Sequence, residues 1–479
     1  MPPGPFPYPF IGNMPDMMCD PINPLAKLAE QYGDIFTVTF PGGGASVVVL
    51  SSASLVREAR LGRHDDLSGR SPASFYPWGE ILGEDLLTAD YSPEFRFRRR
   101  VFKSAMHVLG AGIDEASQRV GHAVDIAIGD LETRKGIPFS PKKLFESSIL
   151  VQLWEWLTSK KVQLNDPTIE CLSLFGEIVS KQSMYANMYQ MIPYMKYLPT
   201  QFNRDIKRAQ QIKNEIFHKE YQAHIETYTP GIIRDLTDSF ISCYEKEIAK
   251  ETTKNIGSMD DIASLMCDVS FGGSDTTSTS LAWLFLYMIL HPDVQIKVHK
   301  ELDIVVGNER LPNWTDVENM PYLQATLCEV QRTSGLLVNA GSNAIRDMTI
   351  GGYHIPKGTF VNLGLAKLHH DKREWPEPEK FKPERFLDSD GKFVGWSKLH
   401  GFLPFAVGRR ECPGQSLAKI MMFTFASVLL YLYKIEIPEG DEIPTADVSA
   451  PAVIMRPNDF NVVAKKRNNF RKKAPSVLP

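Results

Sequence analysis

The segment FLPFAVGRRECPGQSLAKI, residues 402–420, places one cysteine on a glycine-rich loop that runs directly into an apolar helical pattern. Phe405, Gly408, Arg410, Cys412 and Gly414 punctuate it. Glycines let a backbone approach a large flat group closely. Amides at a helix start point at the sulfur and favour the thiolate, the form that ligates metals. Arg410, two residues before Cys412, can pair with a carboxylate. A buried core cysteine is the usual fate of a free thiol, but it explains neither the glycines nor the arginine. A second cluster lies in MCDVSFGGSDTTSTSLAWLFLYMIL, residues 266–290. Gly272-Gly273 weaken a helix by about 1 kcal/mol each relative to alanine, and Asp275 and Thr276 follow at once. Threonine hydroxyls bond carbonyls one turn back and loosen the ladder, so a local groove with an acid and an alcohol beside it is expected. The bland alternative is a Ser/Thr-rich helix packed closely on a neighbour. Glu329 and Arg332, at i and i+3 of one helix, can pair, although most isolated pairs of this kind are surface decoration.

These residues need elements to hold them. DIFTVTF (34–40), PGGG (41–44) and ASVVVL (45–50) read as a hairpin. From about 53 to 335 the pattern is mainly helical, with apolar residues at three and four spacing. IGGYHIPKGTFVNL (350–363) reads as strand, turn, strand. HDKREWPEPEKFKPERF (370–386) holds too many prolines for a helix and reads as an ordered meander. A helix follows Gly414 to about 433, and 445–465 reads as short strands. No linker separates independent halves. One large, mainly α domain with small β-sheets at its edges is expected.

The chain has 479 residues, 43% hydrophobic and 23% charged, with net charge -4. That composition excludes disordered, collagenous and coiled-coil chains, and there is no basic field for nucleic acid. Six scattered cysteines make no disulfide framework and no Cys-x-x-Cys pair. The eleven histidines suggest no metal cluster, and adjacent His369 and His370 read as non-ligands. The longest apolar stretch, Ile420–Tyr433, is short for a membrane span and reads as a buried helix.

With its order and spacing of motifs, the chain resembles the cytochrome P-450 monooxygenases over nearly its whole length, from the proline-rich start to about residue 465. The resemblance implies the fold of that family, a single large domain around a buried haem b. It implies Cys412 as the iron's axial thiolate ligand, with Phe405, Gly408 and Gly414 shaping the loop. Arg410, Arg99 in SPEFRFRRRVF (92–102) and Arg70 in LSGRSP would meet the haem propionates. Phe95 stands where the family usually has tryptophan, and Ser342 where it has histidine. Asp275 and Thr276 would relay protons to the oxygen being reduced. Glu329, Arg332 and Arg385 (in FKPERF, 381–386) would form a buried structural triad. Gly335 and Val338 replace two family prolines. Phe75, Tyr76, Val269, Gly272, Val338 and Val453 are the substrate-pocket candidates.

The activity so implied inserts one atom of O2 into a small hydrophobic substrate: a steroid, terpenoid or xenobiotic. Electrons would come from NADPH through a separate NADPH-cytochrome P-450 reductase, with cytochrome b5 as a second candidate donor, because no dinucleotide or flavin fingerprint is present. Arg98, Arg100, Lys103, Lys398, Arg409 and Lys419 are the expected docking cations. GIIRDLTDSF (231–240) and residues 365–391 resemble the animal microsomal group containing steroid 17-hydroxylases and aryl-hydrocarbon-type enzymes. That group suggests the cytosolic face of the endoplasmic reticulum membrane. On this reading residues 1–15, with five prolines in the first nine, are a hinge after a removed membrane anchor, and 16–479 the haem domain. Two other classes compete: a same-fold isomerase or lyase acting on fatty peroxides, against which the Asp275-Thr276 pair argues, and a non-catalytic haem sensor.

Overall fold

A computed structural model describes residues 1–18, 24–40, 46–62, 65–70, 77–83, 85–109, 113–191, 193–250, 257–337, 340–448 and 454–467. Its axis is the helix Asp261–Leu290, buried over almost every turn. A helix apolar on all sides must lie inside a core, and this one packs against the helices Pro141–Thr158, Gln415–Leu432 and Pro321–Thr333. Phe145 fastens three of them, edge-on to Phe285 at 4.9 Å and to Phe425 at 5.8 Å. A Cβ on Gly273 would lie 3.1 Å from Leu153 Cδ1, so glycine permits the closest approach of the central helix to Pro141–Thr158. Helix Gln415–Leu432 is long and apolar enough to cross a membrane, yet it is mostly buried in this core.

Nine strands are described: β1 (Ile35–Thr39), β2 (Ser46–Leu50), β3 (Leu67–Gly69), β4 (Ala340–Ala344), β5 (Met348–Ile350), β6 (Tyr353–Ile355), β7 (Phe360–Leu363), β8 (Tyr433–Glu436) and β9 (Val463–Lys466). The expected hairpin forms, β1 antiparallel to β2 with Thr37 opposite Val48, while its loop 41–45 lies outside the described residues. The five-stranded sheet runs β1-β2-β7-β4-β3. Residues 350–363 depart from the expected single hairpin. Gly351 and Gly352, both at positive φ (56° and 80°), turn β5 into β6, as a two-residue turn requires. β7 instead joins the larger sheet. The proline-rich start is an arm laid on β1: Thr37 N donates to Pro3 O (2.8 Å) and Thr37 Oγ1 to Pro2 O (3.0 Å), occupying an edge that would otherwise stay unpaired.

Helix Pro321–Thr333 carries the charge knot. Arg332 Nε and Nη2 donate to the two oxygens of Glu329 at 2.7 and 2.8 Å, and both side chains are fully buried. Arg332 Nη1 also donates to His369 O (2.8 Å), with its guanidinium over the Trp375 ring. Glu329 Oε1 accepts Lys382 N (2.8 Å) and Arg385 Nε (3.4 Å), and Arg385 donates onward to the Pro376 and Glu377 carbonyls. The meander is thus hung on one carboxylate. Burial pushes His369 down to about 3, leaving a neutral ring whose Nε2 accepts Leu403 N at 3.1 Å, at the foot of the cysteine loop. After this helix Gly335 takes φ +54°, a left-handed cap that proline, locked near −65°, cannot adopt. The absent family proline therefore reflects a different chain path.

Losing one partner of a buried pair leaves an unpaired charge, at a cost of about 3–5 kcal/mol from a total of about 5–15 kcal/mol. Arg332→Ala is therefore expected to lower the melting temperature and the yield of folded protein sharply, and Arg385→Ala less so, since its contact with Glu329 is longer. An Arg332→Ala chain that melts normally while turning over poorly would show direct participation in chemistry instead.

Candidate active site

The cysteine loop is closed by Cys412 N donating to Phe405 O at 3.0 Å. Gly408 sits at φ +84°, and a Cβ there would lie 2.7 Å from Arg60 O. Gly414 caps the helix that follows. The half-buried Cys412 thiol receives the Gly414 N–H and the field of Arg99, both of which favour thiolate, but burial outweighs them and holds its pKa above the ordinary value. The amides predicted from the sequence are present and do not suffice. A thiolate here requires a further cation at the sulfur, which a metal ion provides. Phe405 lies 5.9 Å from the Trp396 ring, and Lys419 Nζ lies 5.3 Å from both.

Around this loop the chain gathers guanidinium groups. Arg410 donates from Nε to Ser68 O and from Nη2 to Ala89 O, each at 2.8 Å, and lies 3.7 Å over the Phe95 ring. Phenylalanine in place of tryptophan keeps that π face and gives up an N–H donor. Arg70 donates to Leu87 O (3.1 Å), Ser342 Oγ (2.6 Å) and Gly341 O. Arg99 donates to Glu411 O at 2.8 Å. Sequence reasoning missed a fourth member, Arg60, only 2% exposed, whose Nη1 donates to Leu67 O at 2.8 Å. Its signal was position: Ala53, Val56 and Arg60 share the helical spacing that otherwise marks a buried stripe. Burial, with the neighbouring arginines adding to it, lowers Arg60 to about 9 and Arg410 to about 8. Burial also takes Arg70 to about 10, against the opposing pull of Asp85 and Asp90.

The central helix is unbroken through Gly272-Gly273, so the expected loosening does not occur. Thr276 Oγ1 donates to Gly272 O at 2.8 Å, inside an intact ladder. Val269, Gly272 and Thr276 share one face by spacing. Asp275 leaves the helix about 100° around from Thr276. Lys142 Nζ (2.9 Å), Ser180 Oγ (2.8 Å) and Arg456 Nη2 (2.7 Å) all donate to its carboxylate. Burial alone would raise its pKa, but Lys142 and Arg456 outweigh burial and hold it below the ordinary value. The acid and the alcohol are thus adjacent in sequence but separately engaged. Of the other pocket candidates, Phe75, Tyr76, Val338 and Val453 lie outside the described residues, and Val269 is buried.

The docking cations sort by helix face. Arg96, Arg99, Arg100 and Lys103 line a cavity of about 610 Å³ beside the cysteine loop, together with Arg409 and Glu411. Arg98 does not belong with them: it is buried, with Nε 3.0 Å from Asp261 Oδ2. A one-residue step along a helix turns a side chain about 100°. Lys398 is exposed, and Lys419 is half-buried against Trp396. The histidine reading also needs one correction. His224, Asp235 and Asp238 converge among the described residues, because the chain turns back between the helices Lys219–Thr227 and Leu236–Ile248. His224 Nε2 lies 3.0 Å from Asp235 Oδ2, its Nδ1 2.9 Å from Glu220 O, and Arg234 engages Asp238. The groups satisfy one another as an ion-pair knot.

A half-buried thiol that burial holds neutral, arginines clustered beside its loop with like charges adding to their burial, and glycines at 272 and 414 where a Cβ would meet nothing within 4 Å together fit an iron porphyrin with its two carboxylates. The family profile described as Cytochrome P450 matches residues 2–464. The chain is 32% identical over 441 residues to cytochrome P450 2E1 of Oryctolagus cuniculus, covering 91% of this chain and 87% of that protein. It is 30% identical over 478 residues to cytochrome P450 2D4 of Rattus norvegicus, covering 97% and 93%. It is 29% identical over 458 residues to the steroid 17-alpha-hydroxylase/17,20 lyase of Ictalurus punctatus, covering 94% and 87%. The chain belongs to the cytochrome P450 family, the haem monooxygenases.

Proposed function

We propose that Cys412 is the axial iron ligand of haem b and that the chain hydroxylates a small hydrophobic substrate, with electrons from NADPH delivered by a separate reductase. The observation that carries this reading is the half-buried Cys412 thiol in the field of Arg99, on a loop whose Arg410 lies in the field of Arg60, Arg70 and Arg99. A thiolate-bound haem supplies the oxidising chemistry by reductive activation of O2. The chain's own residues bind, orient and move protons. Arg70, Arg99 and Arg410 hold the propionates, and Phe405, Gly408 and Gly414 shape the loop. Thr276 presents its hydroxyl on the Val269–Gly272 face, where it exchanges its bond to Gly272 O for one to the reacting group and gives up its proton as it takes another from water. Asp275, ionised between Lys142 and Arg456, supports that face from its flank and completes the acid–alcohol pair. Substrate lies against Val269 and Gly272, with Phe75, Tyr76, Val338 and Val453 as further lining. Glu329, Arg332 and Arg385 are structural.

The basic cavity of Arg96, Arg100, Lys103 and Arg409 supports docking of an acidic electron donor, a reductase or cytochrome b5, near the ligand loop. Similarity to the steroid 17-alpha-hydroxylase/17,20 lyase of Ictalurus punctatus supports a steroid; terpenoids and xenobiotics are the other apolar classes this reading carries. The animal microsomal resemblance supports a place on the cytosolic face of the endoplasmic reticulum membrane. Screening these classes by substrate-induced haem spectral shift narrows the choice.

Two outcomes test the site. The reduced, carbon-monoxide-treated protein is expected to show the red-shifted band of thiolate ligation, and Cys412→Ser to abolish it. A band that persists in the variant would assign the ligand elsewhere. Thr276→Ala is expected to keep consuming NADPH while product falls and peroxide rises. Unchanged coupling would move the proton delivery to another group.

A further inference from the structure

We propose that Arg60 is a fourth cation of the haem carboxylate site, binding a propionate directly. The inference rests on the haem reading above and extends it to a residue that no motif selects. Arg60 lies in the middle of a short π-helical turn, Glu58–Gly62, and its side chain runs inward beside β3 rather than out to solvent. β3 lines up arginines: Leu67 O accepts Arg60, Ser68 O accepts Arg410, and Arg70 follows directly after Gly69. Gly408 brings the cysteine loop against the Arg60 backbone, a contact any Cβ would obstruct. Arg60 is therefore locked to the ligand loop through its main chain and to the arginine cluster through its side chain.

Charge decides what it does there. Asp85 and Asp90 oppose Arg70, Asp90 opposes Arg410 and Glu411 opposes Arg99. Among the described residues the charges that bear on Arg60 are cations, Arg70 and Arg410. Its Nε is buried and, among the described residues, donates to nothing. A buried ion without a counter-charge is costly, and capping one carbonyl at Leu67 needs only a neutral donor. A guanidinium kept under those conditions calls for an anion from outside the chain, and a planar carboxylate suits its fork. Ser342, an uncharged hydroxyl at a position where a cation would serve, leaves charge for Arg60 to supply.

Haem transfer from the ferric holoprotein to excess apomyoglobin tests this. Wild type is compared with Arg60→Leu, Arg60→Lys and Arg60→Gln, each loaded with haem or with haem dimethyl ester, which lacks the carboxylates. Arg60→Leu and Arg60→Gln are expected to lose haem about ten-fold faster or more, the scale of one charged hydrogen bond, and Arg60→Lys by less. With the dimethyl ester all four chains are expected to lose the group at one rate. Glutamine can still cap Leu67, so it carries the test if leucine prevents folding. Equal haem retention in wild type and Arg60→Gln, or an equal penalty with haem and ester, would overturn the inference and leave Arg60 a carbonyl clamp. A wild-type chain that binds no haem would instead overturn the haem reading itself.

Discussion

Four guanidinium groups within reach of one another's fields, Arg60 and Arg70 buried and Arg99 and Arg410 half-buried, beside a thiol that burial holds in its neutral form, set the condition that the rest of this molecule serves. Neither group is at ease alone. Desolvation disfavours each charged state, and among the arginines like charges add to the cost. A ligand that offers both a cation to the sulfur and carboxylates to the arginines relieves both at once. Iron porphyrin is such a ligand, and the chain tolerates the arrangement because the surrounding structure cannot relax away from it. Arg410 is clamped between two carbonyls and the Phe95 ring, and Arg70 between Leu87, Gly341 and Ser342.

The contrast with the Glu329 knot shows why charge balance separates roles. There, one carboxylate meets Arg332 and Arg385, and further N–H groups of the two reach the carbonyls of His369, Pro376 and Glu377. The set is closed and asks for nothing from outside, so its work is to fix the meander beneath the cysteine loop. The Asp275 carboxylate is likewise met by Lys142, Arg456 and Ser180. The arginine cluster is the open one, and an open cluster of buried charge is where a ligand belongs.

Much of this was legible from residue types. Glu329 and Arg332 sit in a local pattern whose geometry a helix dictates, and the structure pairs them as expected, while Arg410, on the loop of Cys412, meets carbonyls and the Phe95 ring rather than a carboxylate of the chain. What failed to show in the sequence depends on which way a side chain turns, or on what meets it from far along the chain. Arg98 and Arg99 look alike in a run of basic residues, yet 100° of helical rotation buries one against Asp261. Arg60 is drawn in by β3 and Gly408, the second of them almost 350 residues away. His224 and Asp235 meet only because a loop folds two helices back on each other. The glycines of the central helix were read for flexibility. The helix stays intact because Gly273 is filled from outside by Leu153, and its significance is closeness, not bending.

The central helix therefore has two faces with opposite electrostatics. The Asp275 side is charged, and its carboxylate is tied by Lys142 to the helix Pro141–Thr158 and by Arg456 to the C-terminal segment. Trp283 reinforces that tie through Met455 O at 2.9 Å. The side carrying Val269, Gly272 and Thr276 offers only small groups and one hydroxyl. Apolar molecules can lie against such a face without stranding a charge, and a single hydroxyl there meets no competing acceptor except Gly272 O. Moving the carboxylate to the Thr276 position would desolvate it against any apolar substrate, and moving the hydroxyl to position 275 would leave Lys142 and Arg456 unpaired. The order acid-then-alcohol along the helix is thus fixed by which side must stay dry and which side must hold charge.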